Sequence, residues 1–439
     1  MSSITTDILK IRLAENFIDT MVNSNNSLYM YIGKETPWQN EPNPDQPHDS
    51  VKSYKTIWDD MIVMKKVTQN NLQLVIKKNV WTNNLVYTAY SDENFELFNS
   101  TNNPFYIINS NNEVYKCLSN NNSSASTIEP SGIGNSSNNY VTQTSDGYQW
   151  KYMLNIDPAD TFLNNFWIPI PRIAPTNSSQ SIIENSAVPG SIDVINVING
   201  GSGYTNSNVS YIVNITGDGI GANAYATVIN GSIQNVVMVN RGRDYTYANV
   251  SFTGTGSGAN AIAIMPPSGG HGSNAVNELG AGSVMISIST VEDESGYFTV
   301  SNSFRQTGLI LNPLKQGSNT VSSNNLVKTV MTFNMSGGIG SYINGETVYQ
   351  GSSINNPTFS GIVVDFDSVS GSLRMNNIRG ALLLQTILYG MNSGAQRYPT
   401  NIITPDVEKY TGDIIYINNG PPIQRAPTNI ETYQFVINF

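Results

Sequence analysis

The chain has 439 residues, more than a single core ordinarily serves, so two or more packed units are expected. Charged residues make up only 12% of it, the net charge is −10, and the 22 Lys+Arg form no basic run, which argues against a phosphate-tracking surface and so against a nucleic-acid partner. Residues 1–10 have neither a basic nor an apolar leader region, and no apolar stretch approaches the roughly 20 residues that span a bilayer, so a soluble chain with no membrane partner is expected.

Thr6 or Asp7 can cap a helix to about Val22, because Ile8, Ile11, Ala14, Ile18, Met21 and Val22 follow the 3.6-residue period. Tyr29 to Gly33 reads as a short strand. A loop through Pro37, Pro42, Pro44 and Pro47 follows, where neither helix nor central strand persists. Val51 to Met64 includes a helical turn around Ile57, Trp58 and Met61. From residue 70 the pattern turns to short β runs, Leu72 to Ile76, Phe105 to Ile108, Tyr148 to Ile156 and Trp167 to Ile170, separated by Asn/Ser/Gly clusters. Cys117, the only cysteine, sits in the strand-like Val114 to Leu118 and is expected as a small buried side chain. Asn120 to Asn139 is almost entirely small and polar and reads as a mobile loop.

Residues 191–265 carry an internal repeat. Val197 to Thr205 aligns with Met238 to Thr246 at an offset of 41, as does Asn208-Val209-Ser210 with Asn249-Val250-Ser251. Gly217 to Ala224 aligns with Gly254 to Ala261 at 37. Each copy reads as strand, glycine turn, tyrosine, strand, glycine turn, strand, with Tyr204 or Tyr245 covering the end of a small sheet. A second glycine-rich β stretch, Gly337 to Ile378, contains Asn344-Gly345, a hairpin signal.

Titratable groups suited to catalysis are sparse. There are two histidines, His48 and His271, far apart in sequence. His48-Asp49-Ser50 holds the residue types of a hydrolase triad, but neighbours on an extended chain point in opposite directions. His271 lies in a glycine-rich run and is expected as a flexible-loop histidine bonded to backbone, with no second His or Cys nearby for a transition metal. Asp59-Asp60, Glu292-Asp293-Glu294 and Asp365-Phe366-Asp367 read mainly as solvated faces, although carboxylate pairs can hydrolyse glycosides. Gly217-Asp218-Gly219 superficially suggests a calcium loop, yet its counterpart Gly254-Thr255-Gly256 has no carboxylate. No catalytic, metal or cofactor-binding residues are assigned, and no cofactor is expected.

Ile32-Gly33-Lys34-Glu35-Thr36-Pro37-Trp38, then Asp49-Ser50-Val51 and Ile57-Trp58-Asp59-Asp60-Met61, resemble the gene-8-type baseplate wedge subunit of T-even-like contractile-tailed bacteriophages. The likeness continues in order through Val114 to Leu118, Asp146-Gly147-Tyr148-Gln149-Trp150-Lys151-Tyr152, Phe304-Arg305-Gln306 with Asn312-Pro313-Leu314, Gly412 to Tyr416 with Pro421-Pro422-Ile423, and Phe435 to Phe439. It covers about half the chain. The stretches 191–265 and 316–395 have no counterpart in that pattern and read as insertions.

The resemblance implies a non-enzymatic structural subunit of the virion tail baseplate, assembled in the host cytoplasm. It would form a homodimer, hold other wedge proteins in register and accommodate rearrangement as the tail contracts. Its fold would be mainly β and multi-domain, a β-sandwich-rich core with an N-terminal helix and two glycine-rich β insertions. The division is 1–190 as N-terminal core, 191–265 as tandem repeat, 266–315 as return to core, 316–395 as second insertion and 396–439 as C-terminal core strands. Candidate interface or landmark residues are Pro37, Trp38, Trp58, Tyr148, Trp150, Phe304, Arg305, Pro421 and Pro422, with Tyr204 and Tyr245 as repeat landmarks; Trp38 and Trp58 read equally as core. Two rivals remain. Exposed Tyr204 and Tyr245 could stack on sugars in a receptor- or glycan-binding virion protein, and Asp365 with Asp367 could serve a glycosidase.

Overall fold

The computed structural model describes residues 6–23, 25–94, 97–99, 103–205, 211–291, 294, 296–300, 302–426 and 428–439. Asn208 to Ser210 of the repeat and Glu292-Asp293 of one acidic cluster lie outside them. The protein is mainly β, 44% strand against 11% helix, with several antiparallel sheets, one small closed barrel and a helix near the N-terminus. It divides into two compact units, each assembled from separate stretches: residues 1–16, 73–285 and 436–439 form one, and 17–72 with 286–435 the other. The stretch 191–265 lies wholly in the first and 316–395 wholly in the second.

The N-terminal helix runs Asp7–Asn23, with Thr6 Oγ1 accepting from Leu9 N at 3.3 Å as its cap. Ile11, Ala14 and Ile18 are buried as the period predicts, but Ile8 is 65% exposed, because the buried stripe begins one turn later.

In the first unit, four strands pair in the order Tyr106–Ile108, Glu113–Ser119, Gln149–Asn155, Val141–Gln143. Their inward side chains, Tyr115, Cys117, Tyr148 and Trp150, form an aromatic core with Tyr87 and Ile183. Cys117 is free and fully buried, and burial pushes its thiol well up, so it is a packing residue.

The expectation of mobility over 120–139 is corrected by this neighbourhood. Asp146 accepts from the Thr127 and Ile128 amides at 2.7 and 3.0 Å, Tyr148 OH donates to Ser124 O at 2.5 Å, and Tyr115 OH donates to Gly132 O at 2.9 Å. A segment too polar to make its own core is thus held by side chains of flanking strands that satisfy its backbone. Ser126 is fully buried as a result.

The repeat forms a six-stranded antiparallel sheet in the order Ser232–Arg243, Ile220–Ile229, Tyr211–Gly217, Ala248–Phe252, Ser257–Ala263, Ile195–Ser202. That order is palindromic in repeat terms. The middle strands of the two copies pair at the centre, each last strand lies outside its own middle strand, and each first strand closes the other copy. Register follows the same symmetry: Asn223 faces Asn240 and Asn260 faces Asn199, with a bulge directly after each.

In the second unit, five strands pair in the order Leu326–Lys328, Met61–Lys66, Leu28–Gly33, Ser303–Leu311, Asp413–Gln424. The helix Val51–Asp60 packs Ile57 and Trp58 with Tyr29, Tyr31 and Met64 from this sheet. The six-stranded barrel has the order Met331–Ile339, Ser372–Gly380, Pro357–Asp367, Thr347–Gly351, Leu388–Gly390, Gln396–Ile403 and closes around Phe333, Val348, Phe359, Leu373 and Met375. Asn344-Gly345 makes a turn with Gly345 at φ 80°, but not the expected hairpin. The strands on either side of it pair with other partners, because barrel closure and not local sequence sets the pairing. The final strand is Ile430–Asn438.

Candidate partner-binding cleft and buried polar clusters

A cleft of about 620 Å³ opens in the second unit between the proline-rich loop, the Val51–Asp60 helix and the Ser303–Leu311 and Asp413–Gln424 strands. The loop carries five prolines or aromatics within twelve residues and forms neither helix nor strand, so its position comes from three long-range anchors. Trp38 Nε1 donates to Gly420 O at 3.0 Å, Asn419 Nδ2 donates to Asp45 O at 2.8 Å, and the Arg305 guanidinium grips Glu41 from Nε, at 2.7 and 3.0 Å to its two oxygens. Arg305 Nη1 also donates to Glu35 O at 2.5 Å. Lys34 Nζ stands 5.1 Å from the Trp38 ring centroid, so one face of the ring is covered by a cation. Ser50 caps the helix, accepting from Ser53 N at 3.1 Å; its hydroxyl is a structural group and His48 is exposed at the cleft edge.

The landmark residues separate into two groups. Pro37, Pro421 and Pro422 are exposed and Trp38 is half-buried, so these four reach the surface beside the cleft. Trp58, Tyr148, Trp150, Phe304 and Arg305 are buried, the last as the loop clamp, which for Trp58 is the core reading left open by the sequence. The reason lies in pairing: Trp150 faces Cys117 across the first-unit sheet, and Trp58 sits on the buried face of its helix.

The helix that walls the cleft ends in Asp59 and Asp60, both buried, where a solvated face was expected. Acids at a helix C-terminus oppose the macrodipole, so burial there demands partners. Asp59 has Arg379 Nη2 at 2.9 Å and accepts from Tyr410 OH at 2.6 Å. Asp60 pairs with Lys34 at 3.7 Å and accepts from Asn377 Nδ2. Sequence reasoning missed this cluster because Asn377, Arg379 and Tyr410 lie more than three hundred residues on, with no local signal. Asp365 is bound to Arg374 Nη2 at 2.7 Å and Asp367 caps its own hairpin turn, so each carboxylate already has a structural partner.

A second cluster lies inside the first unit. His271 is fully buried, not a flexible-loop residue, and its Nδ1 is 3.0 Å from Lys116 Nζ. Lys116 pairs with Glu278, whose other oxygen accepts from Gly272 N at 2.8 Å and Asn274 N at 3.2 Å. Tyr90 covers Lys116, with its ring centroid 4.6 Å from Nζ. Beside them Lys151 Nζ donates to Asn139 O at 2.6 Å, Asn139 Nδ2 donates to Asp193 at 2.8 Å, and Arg241 Nε stands 3.3 Å from Asp193. Burial, with Lys116 and Lys151 adding, drives the His271 pKa well down and keeps the ring neutral. Burial likewise lowers Lys151 to about 8, with Lys116 and Arg241 adding and Asp193 and Glu278 opposing. The glycine-rich run around His271 is tied down by ions that composition alone does not reveal.

Tyr204 and Tyr245 are 5% and 7% exposed, which agrees with their reading as covers of a small sheet and not with the rival one of open rings for sugars. Each is a core residue of the repeat. Asp218 is bound by Thr246, from its hydroxyl at 2.5 Å and its amide at 2.9 Å, and these bonds hold it down to about 2. Its symmetry counterpart Thr255 meets Thr205 at 3.1 Å, so the loop is a turn staple in both copies. Among the described residues, no group of three or more His, Cys, Asp or Glu is placed to hold a metal ion, and no helix is long and apolar enough to cross a membrane.

Comparison with family models gave no match for the chain, and comparison with curated proteins gave none.

Proposed function

We propose that the chain is a structural subunit of a contractile-tail phage baseplate wedge and that the Trp38 cleft seats a neighbouring wedge protein. One observation carries the reading: the Trp38–Gly420 hydrogen bond, which ties one landmark of the wedge-subunit resemblance, across 382 residues, to the residue next to another, Pro421-Pro422. Prolines and a tethered indole lose little conformational entropy on docking, which suits an anchor. Arg305, a third landmark, supports the same surface from within by clamping the loop through Glu41.

The assignment predicts a homodimer by light scattering and a larger stable complex when candidate wedge proteins of the same phage are added. Trp38→Ala should leave the circular dichroism spectrum unchanged and weaken that complex at least tenfold, the loss of an anchor at the centre of an interface. A monomer that ignores every tail protein and binds host cells instead would replace this reading with a receptor-binding one.

A further inference from the structure

Beneath the cleft, Glu35 lies with its carboxyl buried against the barrel strand Ser372–Gly380. Its Oε2 accepts from Asn376 Nδ2 at 2.9 Å, and the same amide nitrogen donates to Asp60 O at 3.0 Å. Two buried oxygens are then left without a donor, Glu35 Oε1 and Asn376 Oδ1, and both belong to this one facing pair. Asn376 is fully buried, and an orphaned buried acceptor costs about 1–3 kcal/mol. With Glu35 ionised, the pair offers only acceptors on that side. A single proton on Oε1 supplies the missing donor and satisfies both oxygens at once.

We propose that Glu35 is kept as a neutral carboxylic acid, closing a two-hydrogen-bond ring with the Asn376 carboxamide, and that this ring is a pH-released latch between the segment after the Leu28–Gly33 strand and the barrel. The charged groups that face it agree. Burial raises the Glu35 pKa to about 8, with Asp60 adding to the rise, while its own backbone amide, Asn376 and the more distant Lys34 oppose it. Arg305 spends its guanidinium on the Glu35 backbone carbonyl and on Glu41. Above that pH the Oε1 proton passes to water, the bond to Asn376 Oδ1 is lost, and an unpaired charge faces Asp60 in a dry site.

The sign follows from linkage. A carboxyl raised from 4.5 to about 8 lends stability that is complete below pH 4.5 and lost as pH rises through 8. Glu35→Gln preserves both hydrogen bonds without a titrating proton. The test measures melting of the whole chain from pH 5 to 9, together with the infrared carbonyl band of protonated carboxyls. Wild type should fall several degrees relative to E35Q across that range. The band present at pH 6 should vanish in E35Q and survive in D60N. Asn376→Asp, which places a second acid on the ring, should lose more stability at pH 8 than at pH 5. Parallel melting curves for wild type and E35Q, or a band that E35Q leaves unchanged, would overturn the latch. If E35Q does not fold, a wild type with no protonated carboxyl band at pH 6 overturns it by itself.

Discussion

Tyr245 of the second repeat lies flat against Gly219 of the first, so close that a Cβ at residue 219 would sit 2.3 Å from the ring. The symmetry mate of this contact is Tyr204 against Gly256, where a Cβ would come within 2.4 Å. Neither glycine has a positive φ, so space and not backbone conformation requires it. Each tyrosine reaches into the other copy, which makes the two contacts the side-chain counterpart of the exchanged first strands.

Gly219→Ala and Gly256→Ala should therefore each cost about 1–3 kcal/mol by overpacking, and by similar amounts. Thermal unfolding of the two single variants checks this. Two neutral substitutions would mean that the tyrosines can swing aside and that the exchange is not locked by them.

Lys151 gives the first unit a pH response opposite to that of Glu35. Its folded pKa of about 8 lies below the ordinary 10.5, so between those values the unfolded chain binds more protons and stability rises with pH. The stability it lends is complete above pH 10.5 and lost as pH falls through 8, about 3 kcal/mol in all. Lys151→Met should flatten the alkaline rise, read as urea midpoints at pH 8 and pH 10. An unchanged slope in that variant would place the titrating group elsewhere.

The repeat should be removable. Ala263 is the register partner of Ile195, and Ile264 N donates to Val194 O at 3.0 Å, so the ends of the module are adjacent. Asp193 is retained because it accepts from Asn139, although the deletion removes Arg241, its ion-pair partner. A chain lacking 195–263, with the ends joined by a short linker, should stay soluble and melt cooperatively; aggregation or loss of a sharp transition would show that the remaining structure depends on the module.

Local signals were read well where the periodicity was strong. The capped N-terminal helix, the helix around Ile57 and Trp58, the strand at Tyr29 and the main β runs all lie within a few residues of their expected bounds. What stayed illegible depended on partners remote in sequence. The offset of 41 reveals two like copies, but likeness does not say which copy a strand pairs with, and so the exchange was hidden even though Tyr204 and Tyr245 were expected to cover sheet ends. The 120–139 segment looked mobile because its staples, Asp146, Tyr148 and Tyr115, lie outside it. His271 was expected in a flexible loop, bonded to backbone, because its actual partner Lys116 is 155 residues away. The cleft was approached only through the resemblance, since nothing near Trp38 announces Gly420.

The exchange of first strands also bears on ancestry. A gene carrying one copy of the repeat would encode a sheet whose first strand has no neighbour of its own, and that chain would complete itself only by trading strands with a second molecule. The tandem joins the two partners end to end, turning an encounter that depends on concentration into one that is guaranteed within each molecule. Changes in one copy are thereby answerable to the other. The two halves differ in their loops, one of which is four residues shorter, and agree in the glycines on which the opposite tyrosine rests.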